Sequence, residues 1–170
     1  MFNNIVMSLG PTNFKIVRGM LGGNLLDFLG YYAYDRATST DVMEDVQVPN
    51  TPALYDDPAM RTLLYYFLYD MTEHTGAVLE PTYSYLRVYK KGDVLHRHTD
   101  KKVCEYSVSI TLKREQADDI WPLCLETSDV HKVCLEEGDG LIYKGVENPH
   151  WRDKFEGERL AQVFLHYVRR

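Results

Sequence analysis

From Pro81 to the C-terminus the apolar residues recur with a period of two, and this half of the chain is committed to sheet. Tyr83, Tyr85, Arg87 and Tyr89 share one face of an extended segment, and Ser84, Leu86 and Val88 share the other. Further short β-rich segments follow at residues 106–112, 121–126, 130–136, 141–143 and 160–168. Polar turns separate them, at residues 115–119, at Thr127, Ser128 and Asp129, and at Glu137, Gly138, Asp139 and Gly140.

The first half has a different texture. Residues 14–18 form a short strand, and Asn24 is placed to cap a helix whose Leu25, Leu26, Phe28, Leu29 and Tyr32 run to about Tyr34. Asp56, Asp57 and Pro58 make a second helix start, with an acidic cap and proline in the first turn. Met60, Leu63, Leu64, Phe67, Leu68 and Met71 then lie along one helical face as far as Gly76, a stripe suited to covering a sheet. His74, at the helix end, is exposed or capping. Residues 36–52 show no sustained period and read as a long loop with a short strand at 46–48. Such a loop is either a lid or a plain connection. Short strands after two helices specify a mainly β fold with N-terminal helical support, a barrel or jelly roll. Residues 1–170 make one domain, with 1–80 as support and loop and 81–170 as the β core.

Charge excludes some functions. A net charge of −6 and the lack of a basic patch with interleaved aromatics disfavour nucleic-acid binding. Lys90, Lys91, Lys101 and Lys102 are loop charges on this view. Three cysteines, Cys104, Cys124 and Cys134, lack metal-site spacing and fit buried free thiols in a reducing compartment. No apolar run approaches a membrane span, and Met1 to Asn4 lack a basic leader, so the expectation is a cytoplasmic chain.

Within the β half, His98 and Asp100 sit two apart, so a strand would point imidazole and carboxylate to one side. Alone the pair also fits a solvated surface turn. His150 supplies a third candidate ligand, and Arg159 follows nine residues later at the start of an apolar segment. Two imidazoles and a carboxylate suit Fe(II) or Zn(II) and leave coordination positions open. His96 shares the parity of His98 and is a decoy expected near the rim.

Tyr89, Gly92, His98, Asp100, the Gly138–Asp139 turn, His150 and Arg159, in this order, resemble the 2-oxoglutarate/Fe(II)-dependent dioxygenases, and within them the prolyl-hydroxylase-like branch. The resemblance covers about residues 83–168 and implies a double-stranded β-helix (jelly roll, cupin-like). It implies Fe(II) held by His98, Asp100 and His150, with 2-oxoglutarate and O2 as cosubstrates. The expected reaction is hydroxylation of a peptidyl residue, proline-type, or of a free amino-acid-like molecule, giving succinate and CO2.

Arg159 is then expected to grip the distal carboxylate of 2-oxoglutarate. By alternation Arg159, Ala161, Val163 and Leu165 form the inward row and His166 has the opposite parity. The alternative for Arg159 is a salt bridge to a protein carboxylate. Tyr89 matches a cosubstrate-contacting tyrosine or is a core residue, and Thr111 is the choice for a second anchor among Ser107, Ser109 and Thr111. Arg87 and Arg152 would favour an anionic substrate if they line the mouth, and are otherwise solvated charges. Trp121 and Trp151 wall the pocket or pack. Two other readings compete: a cupin-like metal enzyme that uses no oxoacid, and a non-catalytic barrel that binds or senses a ligand.

Overall fold

The computed structural model describes residues 9–10, 12–39, 41–116 and 120–170, the side chains of residues 44 and 45 excepted. In chain order the elements are β1 (Phe14–Val17), α1 (Gly23–Arg36), β2 (Met43–Asp45), β3 (Val48–Tyr55), α2 (Pro58–Tyr66), α3 (Leu68–Thr75) and β4 (Leu79–Lys90). They continue with β5 (Leu95–His98), β6 (Tyr106–Glu115), β7 (Leu123–Glu126), β8 (Val130–Val133), β9 (Gly140–Tyr143), β10 (His150–Arg152) and β11 (Arg159–Arg169). Seven strands form one sheet in the order β1-β9-β6-β11-β4-β3-β2, and four form a second in the order β5-β10-β7-β8. The strands pair antiparallel, with β11 central and matched along its whole length to β4. This is the double-stranded β-helix with helical support.

Two apolar layers hold it. Leu86, Val88, Val108, Ile110, Val163 and Leu165 leave the outer face of the large sheet and pack on Leu29, Ala33, Met60, Leu64 and Met71 of the helices. Tyr89, Leu141, Tyr143 and Leu160 leave its inner face and meet Leu123, Leu125 and Leu135 beside Trp121 and Phe155. The large sheet is therefore buried on both sides, the site lying between the sheets.

Asp57 joins the helices to one another. Its carboxylate accepts from Ala59 N at 3.0 Å and Met60 N at 3.4 Å, capping α2. It also accepts from the Tyr32 hydroxyl at 3.0 Å and Arg36 Nε at 2.8 Å on α1. At the Gly138 turn, φ is +84°, and a Cβ there would meet the Leu21 carbonyl, so glycine is required on both counts. Asp139 beside it accepts from Gly19 N and Glu136 N, tying β1 to the turn before β9.

Several local expectations need correction. Gly22, not Asn24, occupies the α1 cap, without a side-chain hydrogen bond. The second helix is interrupted at Phe67, although Phe67 N still reaches Leu63 O and the Met60–Met71 stripe stays buried. Residues 43–55 form a hairpin on the sheet edge, where a loop was expected, and Val46 lies in its turn. The 115–119 turn lies partly outside the described residues, as does the N-terminal segment. Cys104 and Cys124 are buried free thiols, whereas Cys134 is exposed. Among the described residues no helix is long and apolar enough to cross a membrane.

Asp57→Ala removes the α2 cap and takes the Asp57 acceptor from the half-buried Arg36 Nε and Tyr32 hydroxyl. The expected loss is about 3 kcal/mol in urea unfolding, with Asp57→Asn, which keeps an acceptor, costing roughly half of that.

Candidate metal centre and active site

Three separate segments converge between the sheets. His98 ends β5 and His150 begins β10, and the two are register partners, so their rings lie 4.3 Å apart. Asp100 lies just beyond β5. Its N–H donates to Gly145 O at 2.9 Å, and Ser107 donates to its Oδ2 at 3.2 Å. The remaining oxygen, Oδ1, stands 3.8 Å from His98 Nε2 and 3.7 Å from His150 Nε2. One ligand atom from each residue lies within 4.8 Å of the others, the span of a shared ion.

The backbone fixes the imidazole tautomers. His98 Nδ1–H donates to His96 O at 2.7 Å, and His150 Nδ1–H donates to Asn148 O at 2.9 Å. A carbonyl only accepts, so the proton sits on Nδ1 and the Nε2 lone pair faces Asp100 in both cases. Burial lowers the His150 pKa, against a smaller upward pull from Asp100, which favours the neutral, ligating form. Two neutral imidazoles and a carboxylate fit a divalent ion and leave positions open for other ligands. Gly145 makes room for this carboxylate, since a Cβ there would overlap Asp100 Oδ2.

A cavity of about 330 Å³ opens on the triad. Its walls include Tyr55, Tyr83, Tyr85, Tyr89, Tyr143 and Phe164, together with Arg87 and His166. His166 Nδ1–H donates to Ser107 Oγ at 2.8 Å, so a relay His166–Ser107–Asp100 sets the orientation of the acid. Burial pushes the His166 pKa down to about 4, and the ring is neutral near pH 7.

The sequence-chosen residues divide. His98, Asp100 and His150 come together, and Tyr89 and Arg87 line the cavity. Tyr89 packs its ring on Trp121 at 5.0 Å, with its hydroxyl buried and lacking a partner. Arg87 donates from Nη2 to the Tyr85 hydroxyl and lies against the Tyr85 and Tyr89 rings. Thr111 faces inward but donates to Gln162 Oε1 at 3.2 Å, and Gln162 in turn donates to Ser109. Arg152 is buried within the barrel over the Trp121 ring, where a place at the mouth was expected. Trp151 faces away from the cavity, against Arg97. His96 is exposed.

Arg159 is the main correction. Nη2 and Nε hold Glu115 Oε2 at 2.6 and 2.9 Å, the guanidinium lies 4.3 Å from the Tyr34 ring of α1, and the side chain is 43% exposed. Its row, with Ala161, Val163 and Leu165, faces the helices. Leu160, Gln162, Phe164 and His166 form the inward row. His166 was therefore missed, although reversing the assumed parity of β11 would have exposed it. Ser107 was weighed as a cosubstrate anchor, whereas it bonds Asp100, and Gly145 was missed.

No protein-family model matches the sequence, and no curated protein matches it. Solved structures do match. A Pseudomonas putida prolyl-4-hydroxylase superposes over 95% of both chains at 17% identity and a TM-score of 0.80. The non-heme α-ketoglutarate-dependent epimerase SnoN from nogalamycin biosynthesis matches at 11% identity and 0.79, over 95% of this chain and 79% of its own. HygX from Streptomyces hygroscopicus, solved with nickel, 2-oxoglutarate and hygromycin B, matches at 16% and 0.72, over 95% and 84%.

The chain shares the double-stranded β-helix fold of these oxygenases. A hydroxylase and an epimerase share it almost equally well, so the fold does not select the prolyl-hydroxylase-like branch.

Two outcomes are expected. Gly145→Ala displaces Asp100 and weakens Fe(II) or Zn(II) affinity about 10–100-fold in calorimetric titration, with the fold retained by circular dichroism. For the metal-free chain, a neutral His166 contributes no pH dependence above its unfolded pKa near 6.5. As pH falls toward 4 the unfolded chain takes up the proton that the folded chain refuses, so stability drops, by about 2 kcal/mol at pH 5. His166→Gln should reduce the difference in urea stability between pH 7 and pH 5 by that amount.

Proposed function

We propose that this chain is a cytoplasmic Fe(II)- and 2-oxoglutarate-dependent oxygenase, acting as one domain over residues 1–170. The observation that carries this reading is the His98–Asp100–His150 set, with both Nε2 lone pairs directed to one point beside a walled cavity. The substrate is a peptidyl residue, prolyl included, or a free amino-acid-like molecule. The resemblance of the motif and the likeness to oxygenases of several chemistries support the cosubstrate.

On this reading His98, Asp100 and His150 hold the iron. The bound metal supplies oxygen activation coupled to decarboxylation of the oxoacid. The protein fixes the imidazole tautomers through His96 O and Asn148 O, and orients Asp100 through Gly145 and Ser107. Tyr55, Tyr83, Tyr85 and Phe164 give the substrate's apolar body an aromatic wall, and Arg87 offers a guanidinium in that wall for an anionic group. Binding and positioning of this kind are the protein's share of cofactor chemistry.

The test is succinate formation by anaerobically purified protein given Fe(II), 2-oxoglutarate and O2. Wild type is expected to form succinate and His150→Ala to form none. Arg159→Ala should keep most of the activity, because that guanidinium is engaged with Glu115 outside the cavity. A wild-type chain that binds Fe(II) yet neither binds nor consumes 2-oxoglutarate would overturn the cosubstrate and favour a metal enzyme of another kind.

A further inference from the structure

Arg152 has no counter-charge. It is 2% exposed, and no carboxylate among the described residues forms an ion pair with it. Its one hydrogen bond runs from Nη1 to Trp121 O at 2.7 Å, and its Nε is buried without a partner. A guanidinium carries five N–H donors, so most of this group is unanswered by the protein. Burying a cation in that state is costly, and the cost is removed only when an anion arrives.

A second group waits beside it. The Tyr89 hydroxyl is also buried and unpartnered, and Tyr89 lines the cavity. Tyr89 and Arg152 pack on the same Trp121 ring, at 5.0 Å between ring centroids and 4.7 Å from guanidinium to ring. Arg152 is paired with Leu95 on β5, and Leu95 lines the cavity too. On β10 it stands two residues after the candidate ligand His150, so an anion held there lies on the metal's side of the sheet.

The inward place that alternation assigned to Arg159 is filled by something else. Leu160, which opens the inward row of β11, is register partner to Tyr89 and apolar. Arg159, one residue earlier, turns outward to Glu115. Arg87 lines the cavity but is engaged with Tyr85. Thr111 donates to Gln162, and Gln162 donates to Ser109.

We propose that Arg152 and the Tyr89 hydroxyl form the socket for the distal carboxylate of the 2-oxoacid cosubstrate, in place of Arg159. The proposal rests on the oxygenase reading above. Two donors of different kind, one charged and one neutral, then meet the two oxygens of one carboxylate. The cosubstrate class follows: a 2-oxo dicarboxylic acid, in preference to a monocarboxylic one.

The experiment titrates 2-oxoglutarate and 2-oxopentanoate, which has the same length but lacks the distal carboxylate, into Zn(II)-loaded protein. Wild type should prefer 2-oxoglutarate by about 100-fold. Arg152→Met should bind the two acids equally, keep its zinc affinity and its 2-oxopentanoate affinity within about three-fold, and melt above wild type without ligand, since a buried unpaired charge is gone. Arg159→Ala should match wild type. Should Arg152→Met not fold, Tyr89→Phe carries the test, with about ten-fold weaker 2-oxoglutarate binding and unchanged 2-oxopentanoate binding. An Arg152→Met or Tyr89→Phe chain that keeps the full preference, or an Arg159→Ala chain that loses it, overturns the assignment while leaving the oxygenase reading intact. A wild-type chain that binds zinc but shows no preference between the acids, or binds neither, removes both.

Discussion

The architecture depends on β11 being buried on both faces. It lies between β4 and β6 in the large sheet, with the helices beneath one face and the cavity above the other. Each side chain along it must therefore choose between two interiors, and the choice alternates strictly with position. Ala161, Val163 and Leu165 anchor the helical layer, while Phe164 and His166 reach the site. The same constraint acts on β4, where Leu86 and Val88 go down and Tyr85, Arg87 and Tyr89 go up, and on β6, where Val108 and Ile110 oppose Ser107, Ser109 and Thr111. β4 and β11 each give a row to the cavity wall, and β6 supports the site from behind through Ser107 on Asp100.

That double burial explains what the sequence made visible and what it hid. On β4 the rows differ in chemistry, tyrosine and arginine against leucine and valine, so the inward face was plain. On β11 one row is headed by Arg159 and the other carries Gln162 and His166, so each mixes polar with apolar residues and alternation alone could not tell which one met the cavity. Choosing the row headed by Arg159 put that guanidinium inside and His166 outside, the reverse of what is found. The triad was legible because its geometry is local: His98 and Asp100 are two apart, and His150 was drawn in by order along the chain. The hairpin at residues 43–55 was not, since β2 is only three residues long and β3 carries Pro49 and Pro52, which break the strand signal. Gly145 and the Asn148 carbonyl act through backbone geometry, which leaves no mark on side-chain patterns.

The site is rigid where it must bind and less complete where it must receive. His98, His150 and Asp100 each have a second hydrogen bond to backbone or to Ser107, so the ligand atoms converge before any ion arrives. Arg152 and Tyr89, by contrast, keep donor groups unanswered within the dry interior. A fold tolerates one such defect in a stable core only at a cost in free energy, and evolution retains it where a ligand recovers that cost on binding.

Charge gives this asymmetry a direction. The chain carries a net charge of −6, yet several of its acids are paired away from the cavity, Glu115 with Arg159 and Asp57 with Arg36 among them. About the cavity the Asp100 carboxylate faces more positive groups than it can balance, the Arg87 guanidinium and Lys101 ammonium in the lining and the Arg152 guanidinium over the Trp121 ring. A divalent ion at the triad would add to that excess in a site of low polarity, where uncompensated charge is expensive. A monocarboxylic oxoacid would offset one unit of it and a dicarboxylic oxoacid two. Charge balance thus favours the same cosubstrate class that the unanswered donors of Arg152 and Tyr89 select by hydrogen bonding, and the two arguments rest on different physics.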